Sequence, residues 1–248
     1  MTENKLRKYL RKSVSPERGV KFRTPVVLSD SKGIYLQNQS DSSAIDHIRW
    51  WVKRGAKSAE RVAWLRDNIK EKIQHLGPIH IYIWLGTCDL TSITDNKGRI
   101  SLTSSDNTTV ENIVDQYREI VKILSSYTSS RVTFLSIPIY SISLWNQYKN
   151  HKDPATFNDQ DIDLRHQIDK LNFEIKELNT SINSVTPNFN LDILHNPSRL
   201  TCRNTSSSPR FQYNLDLYRD GIHPDRLLSK VWLKKLKIQM RKDCWTRN

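Results

Sequence analysis

Short apolar runs alternate with longer amphipathic stretches along this chain of 248 residues, and this alternation restricts its fold more than any other feature. The runs fit buried strands, whereas the longer stretches place apolar residues three or four positions apart, as helices do. The predicted strands cover 24–29, 45–52, 79–85, 131–137 and 189–194, and the predicted helices cover 58–76, 110–126, 161–182 and 224–241. Alternation of this kind indicates an α/β fold with a mostly parallel sheet.

The connections between these elements differ in length. Those that lead from a helix into a strand are short, at 77–78, 127–130 and 183–188. Those that follow a strand are long, at 86–109, 138–160 and 195–223. In a parallel sheet the connections after strands share the carboxyl edge, where open α/β sheets bind ligands. We therefore expect the functional site at the ends of the first, third, fourth and fifth strands.

The positive charge is concentrated at the two ends of the chain. The formal net charge is +13; residues 1–24 hold eight basic and two acidic residues, and residues 226–248 hold eight basic residues and one Asp. The 25–225 segment has equal numbers of basic and acidic residues. Cationic ends favour nucleic acid or an anionic membrane surface as partners, or they serve solubility alone. We expect a partly disordered basic arm over 1–24 and a single domain over 25–248.

Signals of secretion, membrane insertion and metal binding are weak. The cysteines, Cys88, Cys202 and Cys244, are too few and too widely spaced for a disulfide framework or a zinc site. His151 and His195 are isolated, and isolated histidines are more often surface or core residues than metal ligands. The N-terminus has no apolar signal region, and no apolar run is long enough for a transmembrane segment. We expect an intracellular, cytoplasmic protein.

Two distant segments carry residues suited to nucleophilic catalysis. The first strand leads into Ser31, which places this serine beside the expected crevice as a candidate nucleophile. Asp220 and His223 stand three residues apart across Gly221. This spacing lets the carboxylate hold one imidazole nitrogen while the other accepts a serine proton. Alternatively, the aspartates at these turns act only as caps and His223 only packs.

Two further turns follow the second and third strands. The segment Gly86-Thr87-Cys88-Asp89 follows the third strand, where Gly86 would let a substrate approach the backbone and Asp89 would cap the next turn. Gly55 follows the second strand. It can present a bare N–H to an oxyanion, or it can simply join strand to helix.

Four motifs of this chain resemble, in the same order, those of the SGNH/GDSL hydrolase superfamily. They are SDS at 29–31, Gly at 55, GTCD at 86–89 and DGIHP at 220–224. The resemblance implies a flavodoxin-like three-layer sandwich with helices on both faces of the sheet. The implied sheet is five-stranded and mostly parallel, in the order 2-1-3-4-5.

The resemblance also implies a role for each matching residue. Ser31 would be the nucleophile, His223 the general base and Asp220 its orienting acid. The N–H groups of Ser31 and Gly55 would hold the oxyanion. No metal or organic cofactor takes part in such a mechanism. The substrate would be a small acyl ester, such as an acetyl ester.

Two positions depart from the pattern of the superfamily. Ser29 stands where that family usually has Gly, and Cys88 stands where it has an Asn that donates to the oxyanion. A thiol is a much poorer donor than an amide, and loss of one oxyanion donor costs about 2.7–4 kcal/mol of transition-state stabilisation. A cysteine nucleophile is a further alternative, and so is a catalytically weakened scaffold that binds nucleic acid through its basic ends.

Three stretches have both a functional and a packing interpretation. Tyr140, Trp145 and Tyr148 are candidate walls of the acyl pocket, with Trp145 the preferred substrate contact, or they are ordinary packing residues. The last helix is basic and amphipathic, so it can lie on a membrane, grip phosphates or pack on the sheet. The regular apolar stripe of 161–182 can seed self-association or pack on the sheet.

Overall fold

A computed structural model describes residues 2–13, 19–40, 48–195 and 212–246. The helices in these ranges are α1 (Glu3–Arg11), α2 (Ser31–Gln37), α3 (Ser58–Leu76), α4 (Thr87–Leu90), α5 (Thr108–Ser125), α6 (Ile142–Tyr148), α7 (Asn158–Ser181), α8 (Asn190–Ile193) and α9 (Arg226–Cys244). The strands are β1 (Thr24–Ser29), β2 (Arg49–Val52), β3 (Ile79–Trp84), β4 (Thr91–Ile93), β5 (Ile100–Leu102), β6 (Arg131–Phe134), β7 (Leu194–His195) and β8 (Gln212–Tyr213). None of these helices is both long and apolar enough to cross a membrane.

The central sheet has four parallel strands in the order β2-β1-β3-β6. These are the first four predicted strands in the predicted order 2-1-3-4, so the α/β class is confirmed. Every residue of β3 is buried, as expected for an inner strand covered on both faces. The second strand begins at Arg49, so Ile48 of the predicted range is not part of it. The predicted positions 45–47 lie outside the described residues.

Helices cover both faces of the sheet. On one face Trp84 of β3 packs against Trp232 of α9, with ring centroids 5.7 Å apart. On the other face Phe134 of β6 stacks on Tyr117 of α5 at 4.7 Å. The stripe of the long helix is also buried, since Leu164, Ile168, Leu171 and Ile175 are at most 1% exposed. This stripe therefore belongs to the core, and the packing interpretation of 161–182 holds.

The predicted fifth strand, 189–194, is wrong. Its residues form α8 and the start of β7, which pairs with β8 outside the central sheet. Instead, asparagine side chains bond the backbone N–H and C=O groups at the open edge of β6 and of the residues that follow it. Asn179 accepts from Phe134 N at 2.9 Å and donates to Phe134 O at 2.7 Å. Asn172 makes the same pair of bonds with Ile137, so side-chain amides replace a neighbouring strand.

The basic N-terminal segment, which we expected to be partly disordered, contains α1. Leu6 of this helix is fully buried, and α1 packs against α9. Lys234 of α9 donates to the carbonyls of Tyr9 and Leu10 at 2.9 and 3.1 Å. These carbonyls lie at the end of α1, where helices leave carbonyl groups without intrahelical partners. Helix α9 therefore packs against both the central sheet and α1.

Candidate active site

Ser31 is the first residue of α2, directly after β1, and it is half-buried at the carboxyl edge of the sheet. Asp30 caps the helix by accepting from Lys32 N at 2.9 Å. Ser29, which stands where the superfamily usually has Gly, accepts from Gly33 N at 3.2 Å through its hydroxyl. The turn that presents Ser31 is therefore fixed by two side chains of its own segment.

Ser31, His223 and Asp220 converge although 192 positions separate the serine from the histidine. Ser31 Oγ lies 2.8 Å from His223 Nε2, and His223 Nδ1 lies 2.8 Å from Asp220 Oδ2. With the proton on Nδ1, His223 donates to the carboxylate and its Nε2 accepts from the serine hydroxyl. The three side chains form one continuous hydrogen-bonded chain, as the sequence predicts.

The carboxylate of Asp220 is fixed by its own loop. Its Oδ1 accepts from Ile222 N at 3.1 Å and from His223 N at 2.8 Å. Burial by itself would raise the pKa of Asp220, but the hydrogen bonds and the charge of His223 outweigh burial and lower it. Asp220 is therefore ionised near neutral pH and is oriented toward the imidazole.

Gly221 allows α6 to lie against this loop. Its φ is +87°, in the left-handed region that favours glycine. A Cβ at this position would lie 2.6 Å from Leu144 Cβ and 2.9 Å from Trp145 N. The close approach brings the start of α6 beside His223, and Ser141 N donates to Gly221 O at 3.1 Å.

Two aromatic rings contact the imidazole of His223. Tyr35 stacks on it with centroids 4.7 Å apart, and Trp145 meets it edge-on at 5.7 Å. Trp145 is itself held by its indole N–H, which donates to Gly98 O at 2.8 Å. Sequence analysis missed Tyr35, although it lies four residues after Ser31 and so on the same side of α2.

The other two predicted aromatic walls differ from Trp145. Tyr140 is buried and donates to Thr87 O at 3.1 Å, and burial raises the pKa of its hydroxyl well above the usual value. Tyr148 is 50% exposed and packs against Trp145. Trp145 is the one of the three whose ring contacts His223 in the described residues.

Gly86 does not occupy the position that we expected. It is buried at the end of β3, where its φ of +107° turns the chain into α4. A Cβ there would face Leu171 at 3.3 Å, with Ile113 and Ile137 next nearest at 3.7 Å. Gly86 thus faces the apolar core and serves the turn rather than substrate access.

Asp89 caps a helix other than its own. Its carboxylate accepts from Ser58 N at 3.0 Å and from the Ser58 hydroxyl at 2.8 Å, at the start of α3. Burial raises the pKa of Asp89, and the bonds from Ser58 lower it in part. This contact ties the loop after β2 to the turn after β3. Gly55 lies in that loop, exposed and with a φ of +67°.

Cys88 is partly exposed in α4. Burial, and then the nearby Asp30 carboxylate, raise the pKa of its thiol to about 12. The thiol is therefore protonated at neutral pH, and since only the thiolate is strongly nucleophilic, this argues against Cys88 as the nucleophile. The nucleophile candidate that remains is Ser31.

A buried ion pair is formed by the two residues that flank Ser31 in sequence, and sequence analysis did not predict it. Lys32 Nζ donates to Asp30 Oδ2 at 2.7 Å and also to the hydroxyl of Thr87. The Lys32 ammonium lies 5.6 Å from the ring centroid of Trp84. The side chains of Lys32 and Asp30 are 3% and 0% exposed. The pair joins the start of α2, where Ser31 lies, to the start of α4.

The remaining candidate ligands do not form a second centre. No group of three metal-binding side chains occurs among the described residues. His151 Nδ1 accepts from Asp153 N at 3.1 Å, so this ring caps a local turn. Cys202 lies outside the described residues, and so does the side chain of His195. Two cavities of about 570 Å³ lie beside α7 and at the amino end of the sheet. Neither is lined by Ser31, His223 or Asp220.

Neither a protein-family model nor a curated protein matches the sequence. The structure is similar to a GDSL-like lipase from Bacteroides thetaiotaomicron, with a TM-score of 0.58 and 14% identity over 98% of each chain. It is also similar to a carbohydrate acetylesterase family member from Sinorhizobium meliloti, with a TM-score of 0.52 and 12% identity over 89% of this chain and 98% of that one. The chain has the SGNH/GDSL hydrolase fold.

The structure is also similar to the C-terminal catalytic domain of peptidoglycan O-acetyltransferase A from Streptococcus pneumoniae. Its TM-score to this chain is 0.51 at 10% identity, and the match covers 92% of this chain and all of that one. The central sheet of this chain has four parallel strands, and the asparagine-covered edge lies where the fifth strand was predicted. Ser31 follows the first strand of that sheet, and His223 directly precedes the last helix.

Proposed function

We propose that this protein is a serine ester hydrolase that cleaves small acyl esters. The observation that carries the proposal is the hydrogen-bonded chain from Ser31 through His223 to Asp220, with 2.8 Å at each step. A serine that donates to an imidazole held by a carboxylate is the arrangement that generates an alkoxide-like nucleophile near neutral pH. Lipase, acetylesterase and acetyltransferase names among the structural relatives fit the same acyl-transfer chemistry.

In the first half-reaction Ser31 Oγ attacks the ester carbonyl carbon while His223 Nε2 takes the hydroxyl proton. Asp220 stabilises the imidazolium that forms. The negative charge moves to the carbonyl oxygen, which we assign to the N–H groups of Ser31 and Gly55. When the tetrahedral intermediate collapses, the C–O bond to the alcohol breaks and His223 returns the proton to the departing oxygen.

In the second half-reaction water attacks the acyl group on Ser31. His223 again accepts the proton, and collapse releases the carboxylic acid and restores the serine. Tyr35 and Trp145 both contact the His223 ring, and we propose that these two rings limit the space for the acyl group beside Ser31. This favours a short acyl chain, with acetyl as the preferred group.

The proposal is tested by hydrolysis of p-nitrophenyl acetate and of longer p-nitrophenyl esters. We expect activity that falls with acyl length, and Ser31→Ala to lose at least about 10³-fold in kcat/KM. Ser40→Ala is the matched control, because Ser40 lies just beyond the end of α2 and its hydroxyl donates to Gln37 O of its own turn. Equal rates for the wild type and Ser31→Ala would exclude the proposed nucleophile.

A further inference from the structure

The two basic ends of the chain lie against each other. Helix α1 packs on α9, and Lys234 of α9 holds the carbonyls at the end of α1. Glu3 and Arg7 act electrostatically on Asp225, which caps the start of α9. The helices therefore run side by side in the same direction. Segments more than 200 positions apart in sequence contribute to one surface.

This surface carries many cations and few free carboxylates. We call six of its exposed basic residues the basic face: Lys5, Lys8, Arg11, Lys12, Arg226 and Lys230. The carboxylates within the two helices are Glu3, which pairs with Arg7 at 3.1 Å, and Asp243, which accepts from Tyr82 at 2.7 Å. Both are already engaged. Because the 25–225 segment sums to zero charge, the basic face accounts for much of the positive field of the molecule.

The apolar sides of both helices are already buried. Leu6 of α1 is fully buried, and so are Leu228, Trp232 and Leu236 of α9. A helix that lies in a membrane surface needs a free apolar face to insert between lipids. Neither helix has one, so insertion into a membrane is not the use that this face fits.

Aromatic side chains are also not available on the basic face. Tyr9 of α1 is half-buried, with the Lys234 ammonium 5.0 Å from its ring centroid, and Trp232 lies in the core. Proteins that bind single strands stack bases on exposed aromatic rings. Lysines and arginines contact the phosphates of any sequence, and such contacts carry no sequence information directly.

From this combination we propose that the basic face binds the phosphate backbone of double-stranded nucleic acid without sequence preference. Six exposed cations on two adjacent helices supply the phosphate contacts. The proposal is independent of ester hydrolysis, because none of the six residues belongs to the triad or contacts it.

The experiment is fluorescence anisotropy of a labelled DNA duplex with the full chain over a series of salt concentrations. About six phosphate contacts predict a slope of log K against log salt of about −5. The triple variant Lys5→Glu/Lys8→Glu/Lys12→Glu should weaken binding at least about 10²-fold. It loses three phosphate contacts, so its slope should be shallower by about 3. Lys230→Glu alone should make it shallower by about one.

The matched control reverses three exposed lysines of the neutral body, Lys70, Lys122 and Lys152. It has the same net charge as the triple variant and should bind almost as well as the wild type. Circular dichroism and thermal melting check that both variants are folded. Absence of duplex binding, a slope near zero, or equal loss in the two triple variants would overturn the proposal. Binding to phosphatidylserine vesicles without binding to the duplex would also overturn it, in favour of a membrane surface.

Discussion

Asp220 Oδ2 lies 2.8 Å from His223 Nδ1, and this contact selects which nitrogen of the imidazole faces Ser31 as an acceptor. Asp220→Asn keeps the size of the side chain but lets an amide donate to Nδ1, which favours the opposite tautomer. We expect kcat for p-nitrophenyl acetate to fall about 10³- to 10⁴-fold with little change in KM. Steady-state kinetics of the folded variant measure this. A fall of less than about tenfold would mean that the carboxylate does not orient the base.

Cys88 occupies the position of the amide donor in the SGNH/GDSL pattern, and its thiol is protonated because burial raises its pKa to about 12. Cys88→Asn restores an amide that can donate to the oxyanion. We expect kcat to rise, by up to about 10²-fold, since one oxyanion donor is worth that much in other acyl-transfer enzymes. Cys88→Ala is the control and should not raise kcat. If Asn and Ala give the same rate, an amide at position 88 does not reach the oxyanion.

Lys32 and Asp30 form a buried pair, so removal of one charge leaves the other without a partner. Lys32→Met is expected to lower the free energy of unfolding by about 3–5 kcal/mol. The double variant Lys32→Met/Asp30→Asn should recover most of this loss, because Asn still caps α2 and no charge remains buried. Urea unfolding of the two variants measures the difference. A double variant as unstable as the single one would contradict this interpretation of the pair.

His80 is 5% exposed at the amino end of the sheet, where burial and then the charges of Arg23 and Arg131 lower its pKa to about 3. The unfolded chain binds a proton at this residue below about pH 6.5, whereas the folded chain does so only near pH 3. Stability should therefore fall as the pH drops through this window, by up to about 1.4 kcal/mol per pH unit.

Urea unfolding of the wild type and of His80→Gln at about pH 7 and about pH 5 tests this titration. The variant retains an amide near Thr133, whose hydroxyl lies 2.7 Å from His80 Nε2. It should lose part of the difference between the two pH values. An unchanged difference would assign the acid sensitivity to other groups.

The four parallel strands of the central sheet were predictable because they depend on regular patterns. Apolar runs define the parallel strands, and parallel strands bring the segments after them to one edge. Ser31 and His223 were placed together through the resemblance of their segments to the SGNH/GDSL motifs, since the strand predicted before the His223 loop does not form. The role of Gly86 was not predictable, because the sequence of a glycine after a strand does not show whether the glycine faces a ligand or the core.

Other features had no periodic signal. The fifth strand failed because Asn172 and Asn179 cover the sheet edge with side-chain amides, and asparagines in a helix read as surface residues. Helix α1 was missed because Leu6 is its one fully buried apolar residue in a strongly basic segment. In sequence Lys32 resembles a solvated lysine, because the residues that surround it, Thr87 and Trp84, lie more than 50 positions away.

Covalent labelling of Ser31 is the most direct test of the proposed relay. We expect an alkyl fluorophosphonate to add one phosphonyl group per chain, which intact mass spectrometry detects and peptide mapping assigns to Ser31. His223→Ala should label far more slowly, and Ser31→Ala should not label. Labelling at another residue, or equal labelling of Ser31→Ala, would contradict the assignment of Ser31 as the nucleophile.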